Sequence, residues 1–279
     1  MNVIITGASG FVGKNLSKSL AEKHKLFLAS RHVESHDSYY LDLNDKGSVK
    51  EFIDLLGSEE IDVLIHTAGK LASSGMTFDE QMDVFYENIA ITRNVVEIVN
   101  KLKIKRLINF SSMAVYPNEN GVYSEKSEIR MSCNSDCLYG MSKFCAENIF
   151  DFALNRGSQI VHLRLSQVFG NGMRDDRIIP VMYKSIVDLN EVSVYGDGER
   201  TSNFIHVSEV CKIVQRILDN PDINGIYNIG DKNISYLQLA EQLVSIYGND
   251  STKIIKIAEG SRAQFILDTE KINALWRDS

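Results

Sequence analysis

The chain has 279 residues, 44% of them apolar and 24% charged, and a formal net charge of −7. That length and apolar content bury a full core, either as one large α/β domain or as a nucleotide domain with a smaller partner, and the second is expected. An acidic balance with no basic cluster argues against nucleic acid and anionic membranes as partners, so an anionic substrate has to be held by local groups. No apolar run is long enough to span a bilayer, and residue 3 already lies in the first strand; with no room for a leader, the chain is expected in the cytoplasm. The four cysteines, Cys133, Cys137, Cys145 and Cys211, form neither a C-x-x-C pair nor a metal-ligand pattern with histidine. They read as reduced, packed thiols, and no metal site is expected.

The apolar run Val3-Ile4-Ile5 leads into Thr6-Gly7-Ala8-Ser9-Gly10-Phe11-Val12-Gly13 and then into a helical pattern through Leu20. Strand, glycine turn and helix follow in the order that a dinucleotide site requires. Gly7 permits the tight turn, Gly10 lets a pyrophosphate approach the backbone, and Gly13 lets the helix pack close to the strand. The phosphates then sit on the helix N-terminus, against the backbone of Ser9, Gly10, Phe11 and Val12, where N–H groups and the helix dipole favour anions.

Leu26-Phe27-Leu28-Ala29 reads as a second parallel strand, at whose end such a fold meets the adenosine ribose. Ser30-Arg31-His32 stands there. A carboxylate at that place suits NAD, whereas a small residue followed by Arg31 leaves room and charge for a 2′-phosphate, so NADP is expected and NAD is the alternative. The other reading of Arg31 is an exposed side chain in a surface loop. Asp42 and Leu43 follow, with Asp42 within reach of the adenine amine or, as an isolated feature, part of an ordinary turn.

Val49 to Leu56 has helical spacing, and Val63-Leu64-Ile65-His66 is a buried strand running out into Thr67, Ala68 and Gly69, small residues suited to close contact with a cofactor. His66 reads as a core histidine rather than a catalyst. Gln81 to Leu102 is a long amphipathic helix containing Asn88, which either bonds backbone or holds the nicotinamide site. Arg106 to Ser112 is a strand ending in two hydroxyls, followed by Met113-Ala114-Val115-Tyr116. Pro117 to Cys137 is a polar loop that delivers Tyr139-Gly140-Met141-Ser142-Lys143. The helical i,i+4 spacing places Tyr139 and Lys143 on one face, where the ammonium lowers the phenol's pKa toward proton transfer.

On these residues the chain resembles the extended short-chain dehydrogenase/reductase family of sugar-nucleotide epimerases, dehydratases and reductases over nearly its full length. The TGxxGxxG turn, Asp42-Leu43, His66 to Gly69, Ser112 four residues before Tyr116, and the Tyr139/Lys143 pair fall in the family's order. So do Leu163 to Gly170, similar to R-x-x-N-V-Y-G, and Val194 to Gly198, Phe204 to Val207, Ile226 to Gly230 and Leu275-Trp276.

The resemblance implies a doubly wound parallel Rossmann sheet over 1–165, with 203–218 returning to it, and a smaller mixed α/β substrate-binding cap over 166–279. It implies Ser112, Tyr139 and Lys143 as the catalytic set, with Tyr139 and Lys143 also meeting the cofactor. A nucleotide sugar is then held by Ser112, Met113, Gln167, Arg200 and Arg262. A homodimer through the helices beginning at Gln81 and near Leu138 is implied as well.

Two departures bear on the reaction. Met113 and Ala114 stand where 4,6-dehydratases of the family carry an Asp-Glu pair, so elimination of water lacks its acid and base. Gln167 replaces the family's Asn, and Ser202 replaces an Arg, with Arg200 nearby. The leading expectation is an NADPH-dependent reductase of a keto, 4-keto-6-deoxy, nucleotide sugar. An NAD-dependent nucleotide-sugar epimerase is the alternative, and a non-catalytic NADP-binding regulator the remote one.

Overall fold

The computed structural model describes residues 1–33, 38–73, 75–131, 136–154 and 157–276; Cys133 lies outside them. In chain order the first half carries β1 (Asn2–Thr6), α1 (Phe11–Leu20), β2 (Lys25–Ser30), β3 (Ser38–Tyr40), α2 (Lys46–Leu56), β4 (Val63–His66), α3 (Phe78–Lys101) and β5 (Arg106–Ser112). Then come β6 (Gly121–Tyr123), α4 (Cys137–Leu154), β7 (Gln159–Leu165), β8 (Gln167–Phe169), α5 (Ile178–Leu189), β9 (Glu191–Tyr195) and β10 (Thr201–His206). The chain closes with α6 (Val207–Asp219), β11 (Gly225–Ile229), β12 (Lys232–Ser235), α7 (Tyr236–Tyr247), β13 (Lys253–Ile257), β14 (Phe265–Leu267) and α8 (Glu270–Ala274).

The fold is α/β, built on a seven-stranded sheet of order β11-β7-β5-β4-β1-β2-β3. The pairings from β3 through β2, β1, β4 and β5 to β7 are parallel. Strands covered on both faces read as near-continuous apolar runs, and Val63, Leu64 and Ile65 of β4 are buried accordingly. Strand order reverses between β1 and β4, the switch point where sheets of this kind bind ligands at their carboxyl ends. The main core joins sheet residues such as Ile4, Phe27, Leu64 and Leu107 to Phe52 of α2, Val95 and Ile98 of α3 and Phe150 of α4.

Local chemistry sets the helix starts. Asp45 accepts a bond from the Gly47 N–H at 2.8 Å and starts α2. Thr77 and Glu80 form a reciprocal capping box that starts α3 three residues before the apolar periodicity suggests. Leu41 and Leu43 turn into the core after β3, while Asn44 N–H bonds the Asp42 carboxylate at 2.9 Å, so this stretch ends as a turn.

The chain forms two compact units. One comprises Met1–Pro117, Ile129–Leu165 and Ser208–Tyr227; the other comprises Asn118–Glu128, Ser166–Val207 and Asn228–Ser279. In the first, the buried Arg106 donates to the carbonyls of Asn220 (3.0 Å) and Ile223 (2.9 Å), fastening the returning segment to β5. The second carries the sheets β12-β10-β8, β13-β9 and β14-β6, with a core of its own around Met182, Val192, Phe204 and Leu243. Cys145 and Cys211 are free thiols, and burial pushes the Cys211 thiol up to about 11.

Gly13 sits inside α1, where helix propensity alone favours alanine by about 1 kcal/mol. A Cβ there meets the Gly7 carbonyl oxygen at 2.2 Å and the Ala8 Cα at 2.8 Å, both backbone atoms that cannot rotate away. Overpacking of this kind costs about 1–3 kcal/mol, so Gly13→Ala is expected to destabilise the protein. An unchanged or higher midpoint in urea unfolding shows instead that the turn opens to admit the methyl.

Candidate active site

β1 runs into Gly7, whose φ of +74° a side chain rarely adopts. The Gly7 and Ala8 N–H groups donate to the Ala29 carbonyl at 2.9 and 3.3 Å, tying the turn to β2. A Cβ on Gly7 meets the Ala68 nitrogen at 2.7 Å, so the turn lies directly against the residues after β4. Gly10 is exposed and caps α1, which has no acidic residue in its first turn; Ser9, Phe11 and Val12 are half-buried beside it. The first N–H groups of a helix lack intrahelical partners, and here no carboxylate of that first turn competes for them, so the cradle fits a phosphate.

At the end of β2 Ser30 is buried, with its hydroxyl bonded to the His32 carbonyl, and Arg31 is exposed. Asp42 is half-buried and accepts from Asn44; the Leu43 side chain belongs to the core, and its carbonyl accepts from Asn94 Nδ2 at 2.7 Å.

Around Lys143 the first unit gathers several predicted residues. The Lys143 ammonium is buried, donates to the Phe110 carbonyl at 3.0 Å and lies 5.8 Å from the centroid of the Tyr139 ring. A Cβ on Gly69 falls 3.3 Å from Lys143 Nζ and 3.5 Å from Asn88 Oδ1, so those three residues adjoin. Asn88 bonds the loop after β4 and α4: Oδ1 accepts from Lys70 N–H at 2.8 Å, and Nδ2 donates to the Lys70 carbonyl at 3.0 Å and to Ser142 Oγ at 3.1 Å. Burial pushes the Lys143 ammonium down to about 8 against the opposing field of Glu147.

Ser112 ends β5, and its Oγ accepts from the Ala114 N–H at 3.1 Å across a short 3-10 turn, Met113–Val115. Helix α4 presses against this turn. A Cβ on Gly140 is 2.0 Å from the Ala114 carbonyl oxygen, so only a glycine beside Tyr139 allows the approach. Met113 and Ala114 are half-buried and bring neither acid nor base to the turn.

His66 is buried, its Nδ1 bonded to Thr6 Oγ1 at 2.8 Å and its ring edge-on to Phe150. Burial, with a smaller contribution from Lys143, pushes its pKa down to about 3, so the ring is a neutral core group.

In the second unit Gln167 Nε2 donates to Ser202 Oγ at 3.0 Å and to the Tyr236 hydroxyl at 3.2 Å. Arg200 stacks 5.3 Å over the Tyr236 ring, and its buried Nε has no partner among the described residues. Arg262 is exposed and bonded to the Asp197 carboxylate, with Glu199 3.7 Å away. Sequence reasoning passed over Gly140, Ser142 and Glu147 as site residues. Glu147 follows Lys143 by one helical turn on the same face, a spacing that could have drawn notice. Among the described residues no group of three or more His, Cys, Asp or Glu is placed to hold a metal ion, and no helix is long and apolar enough to cross a membrane.

A doubly wound parallel sheet with a glycine turn after its first strand is a Rossmann-type dinucleotide fold. The chain belongs to the NAD dependent epimerase/dehydratase family, whose sequence pattern matches residues 3–230. The dTDP-D-glucose 4,6-dehydratase of Dictyostelium discoideum is 23% identical over an alignment, gaps included, of 270 positions that covers 88% of this chain and 62% of that protein, so the chain spans less than two thirds of this relative. The GDP-6-deoxy-D-talose 4-dehydrogenase of Aggregatibacter actinomycetemcomitans is 26% identical over an alignment, gaps included, of 246 positions that covers 86% of this chain and 79% of that one. The structure of UDP-glucuronic acid 4-epimerase from Bacillus cereus, in complex with UDP-glucuronic acid and NAD, shares the fold with a TM-score of 0.82 at 23% identity, covering 100% of this chain and 94% of that one.

A histidine neutral in the folded chain but titrating near 6.5 when unfolded favours the unfolded state in acid. The stability that depends on neutral His66 is fully present above pH 6.5 and is lost as pH falls toward about 3, at about 1.4 kcal/mol per unit. The imidazole ¹⁵N shifts of His66 are expected to remain those of a neutral ring from pH 8 to pH 5; a protonation step inside that range contradicts the burial described here.

Proposed function

We propose that the chain is a nicotinamide-dependent oxidoreductase of nucleotide sugars that reduces a keto sugar with NADPH. The observation that carries the cofactor choice is the end of β2, where Ser30 is bonded back onto its own loop and Arg31 stands exposed in the place of a ribose-binding carboxylate. The glycine turn would cradle the pyrophosphate, Arg31 the 2′-phosphate and Lys143 the nicotinamide ribose. When bound, the cofactor supplies the hydride.

The remaining steps belong to the chain's own groups. Ser112 Oγ, whose lone pair already accepts from Ala114, donates its hydrogen to the substrate oxygen. Tyr139 transfers its phenolic proton to that oxygen as the carbonyl carbon becomes tetrahedral, and solvent restores the proton. A charged Lys143 beside the ring favours the phenolate left behind. Met113 and Ala114 support reduction over elimination, since neither removes nor donates a proton. Gln167, Arg200 and Arg262 are assigned to the nucleotide sugar, Arg200 on the strength of its unpartnered Nε. Exposed Tyr86 on α3 and Phe152 on α4 suit the homodimer that the resemblance implies.

The second reading, epimerisation with retained NAD, is favoured by the Bacillus cereus epimerase, which binds NAD. An epimerase regenerates its cofactor in place and purifies with it, whereas a reductase exchanges it at every turnover.

Fluorescence titration is expected to give NADPH at least tenfold tighter than NADH, with Arg31→Asp erasing the difference, because a charge-assisted contact to phosphate contributes about 1.5–3 kcal/mol. Equal affinities, together with NAD released on denaturation, shift the assignment to the epimerase. Tyr139→Phe is expected to keep cofactor binding and lose roughly two to four decades of turnover of a 4-keto-6-deoxy nucleotide sugar. Turnover should also decline above about pH 8, where Lys143 loses its charge, and a flat profile to pH 10 speaks against an ammonium role.

A further inference from the structure

Two ionised groups in the first unit lie outside the catalytic set and deep in the protein. Glu147 of α4 and Arg164 of β7 have side chains each only 2% exposed. Arg164 grips the carboxylate with two donors on one edge of its guanidinium, Nε to Oε1 at 3.0 Å and Nη2 to Oε2 at 2.7 Å. Burial alone lowers an arginine's pKa, but the bonds and field of Glu147 outweigh it, and the guanidinium is held charged.

The pair reaches further on both sides. Ser111, the residue before Ser112, donates its hydroxyl to Glu147 Oε1. Arg164 Nη1 donates to the Tyr116 hydroxyl at 2.8 Å and lies 5.1 Å over that ring, while Tyr116 N–H closes the Met113–Val115 turn on the Met113 carbonyl at 3.0 Å. One carboxylate on α4 therefore fastens the backbone just before Ser112 and, through Arg164, the residue just after the turn that follows it.

A buried ion pair is a weak source of stability, since apolar residues of similar volume commonly do as well or better. What apolar residues cannot supply is a fixed charge. Glu147 lies one turn beyond Lys143 on the same helix face, and its field opposes the burial that drives the Lys143 proton off. The other groups facing Lys143 are the Phe110 carbonyl and Asn88, the Tyr139 ring, and His66 on β4, which is neutral; the positive charge of Arg164 faces Glu147 from β7.

We propose that Glu147 and Arg164 are positioning residues, a charged clamp that sets α4, with Tyr139 and Lys143, against the Ser112 turn and gives Lys143 its counter-charge. This rests on the reading of Ser112, Tyr139 and Lys143 as the catalytic set.

The test uses two variants of the full chain. Glu147→Gln keeps the shape of the carboxylate and removes its charge. The double variant Glu147→Leu/Arg164→Met removes the pair altogether and is the one expected to fold with a melting temperature near the parent's. Lys143 is followed by its ¹³Cε shift against pH, assigned with Lys143→Gln, which needs neither substrate nor cofactor. In Glu147→Gln its midpoint is expected to fall by about one unit.

With NADPH and a 4-keto-6-deoxy nucleotide sugar, the folded double variant is expected to lose at least tenfold in kcat while the KM for NADPH changes less than threefold. Should Glu147→Gln fail to fold, the double variant still decides. Parental kcat in a folded double variant, or an unmoved Lys143 midpoint in a folded Glu147→Gln, overturns the proposal. Tyr139→Phe in the same assay reports separately on the underlying reading: if it turns over normally, the assignment of the catalytic set has failed, while the Lys143 titration continues to test the coupling to Glu147.

Discussion

Two backbone contacts closer than a methyl group allows underlie the first unit. At one, α1 lies against the turn from which it springs, with Gly13 facing the Gly7 carbonyl; at the other, α4 lies against the turn after β5, with Gly140 facing the Ala114 carbonyl. Neither helix can sit where it does with a Cβ at those positions. The first contact orients a helix N-terminus at the carboxyl end of β1, and the second brings the start of α4, with Tyr139 and Lys143, up to the turn that follows Ser112. Backbone packing therefore sets how closely α1 and α4 approach these two turns.

Burial of polar groups is the second constraint, because an unpaired one in a sheet covered on both faces costs more than its hydrogen bond returns. The parallel strands answer with pairs across neighbouring strands. Thr6 bonds His66 at 2.8 Å between β1 and β4, and Asn109 bonds His162 at 3.0 Å between β5 and β7, with His162 also bonded to Asp151. Lys143 of α4 is a further buried group. It has a carbonyl, a ring and the field of Glu147, yet burial still depresses its pKa. A buried lysine still charged at neutral pH is suited to influence a neighbouring phenol, which an exposed lysine, screened by water, does weakly.

The second unit shows a different economy. Its polar cluster of Gln167, Ser202 and Tyr236 is internally bonded, and Arg262 is occupied by Asp197. Arg200, stacked on Tyr236 with a buried nitrogen lacking a partner among the described residues, is the group there with bonding capacity left over.

Much of this was legible in the chain alone. Val3 to Gly13, Val63 to Gly69, Arg106 to Ser112 and Tyr139 to Lys143 each announce their element and the end of it that matters, because alternation, helical spacing and glycine turns are local properties. The family pattern and the α/β class follow from such short stretches. Tertiary structure alone decided the rest. Asn88 bonds the Lys70 backbone and Ser142, and Leu43 packs in the core. Ser111, Glu147 and Arg164 meet across separations of 36 and 17 residues. Nothing in the spacing of those three residues marks a bond, since whether a carboxylate is buried, and against what, depends on which strands become neighbours in the sheet, and that is settled only when the whole core closes.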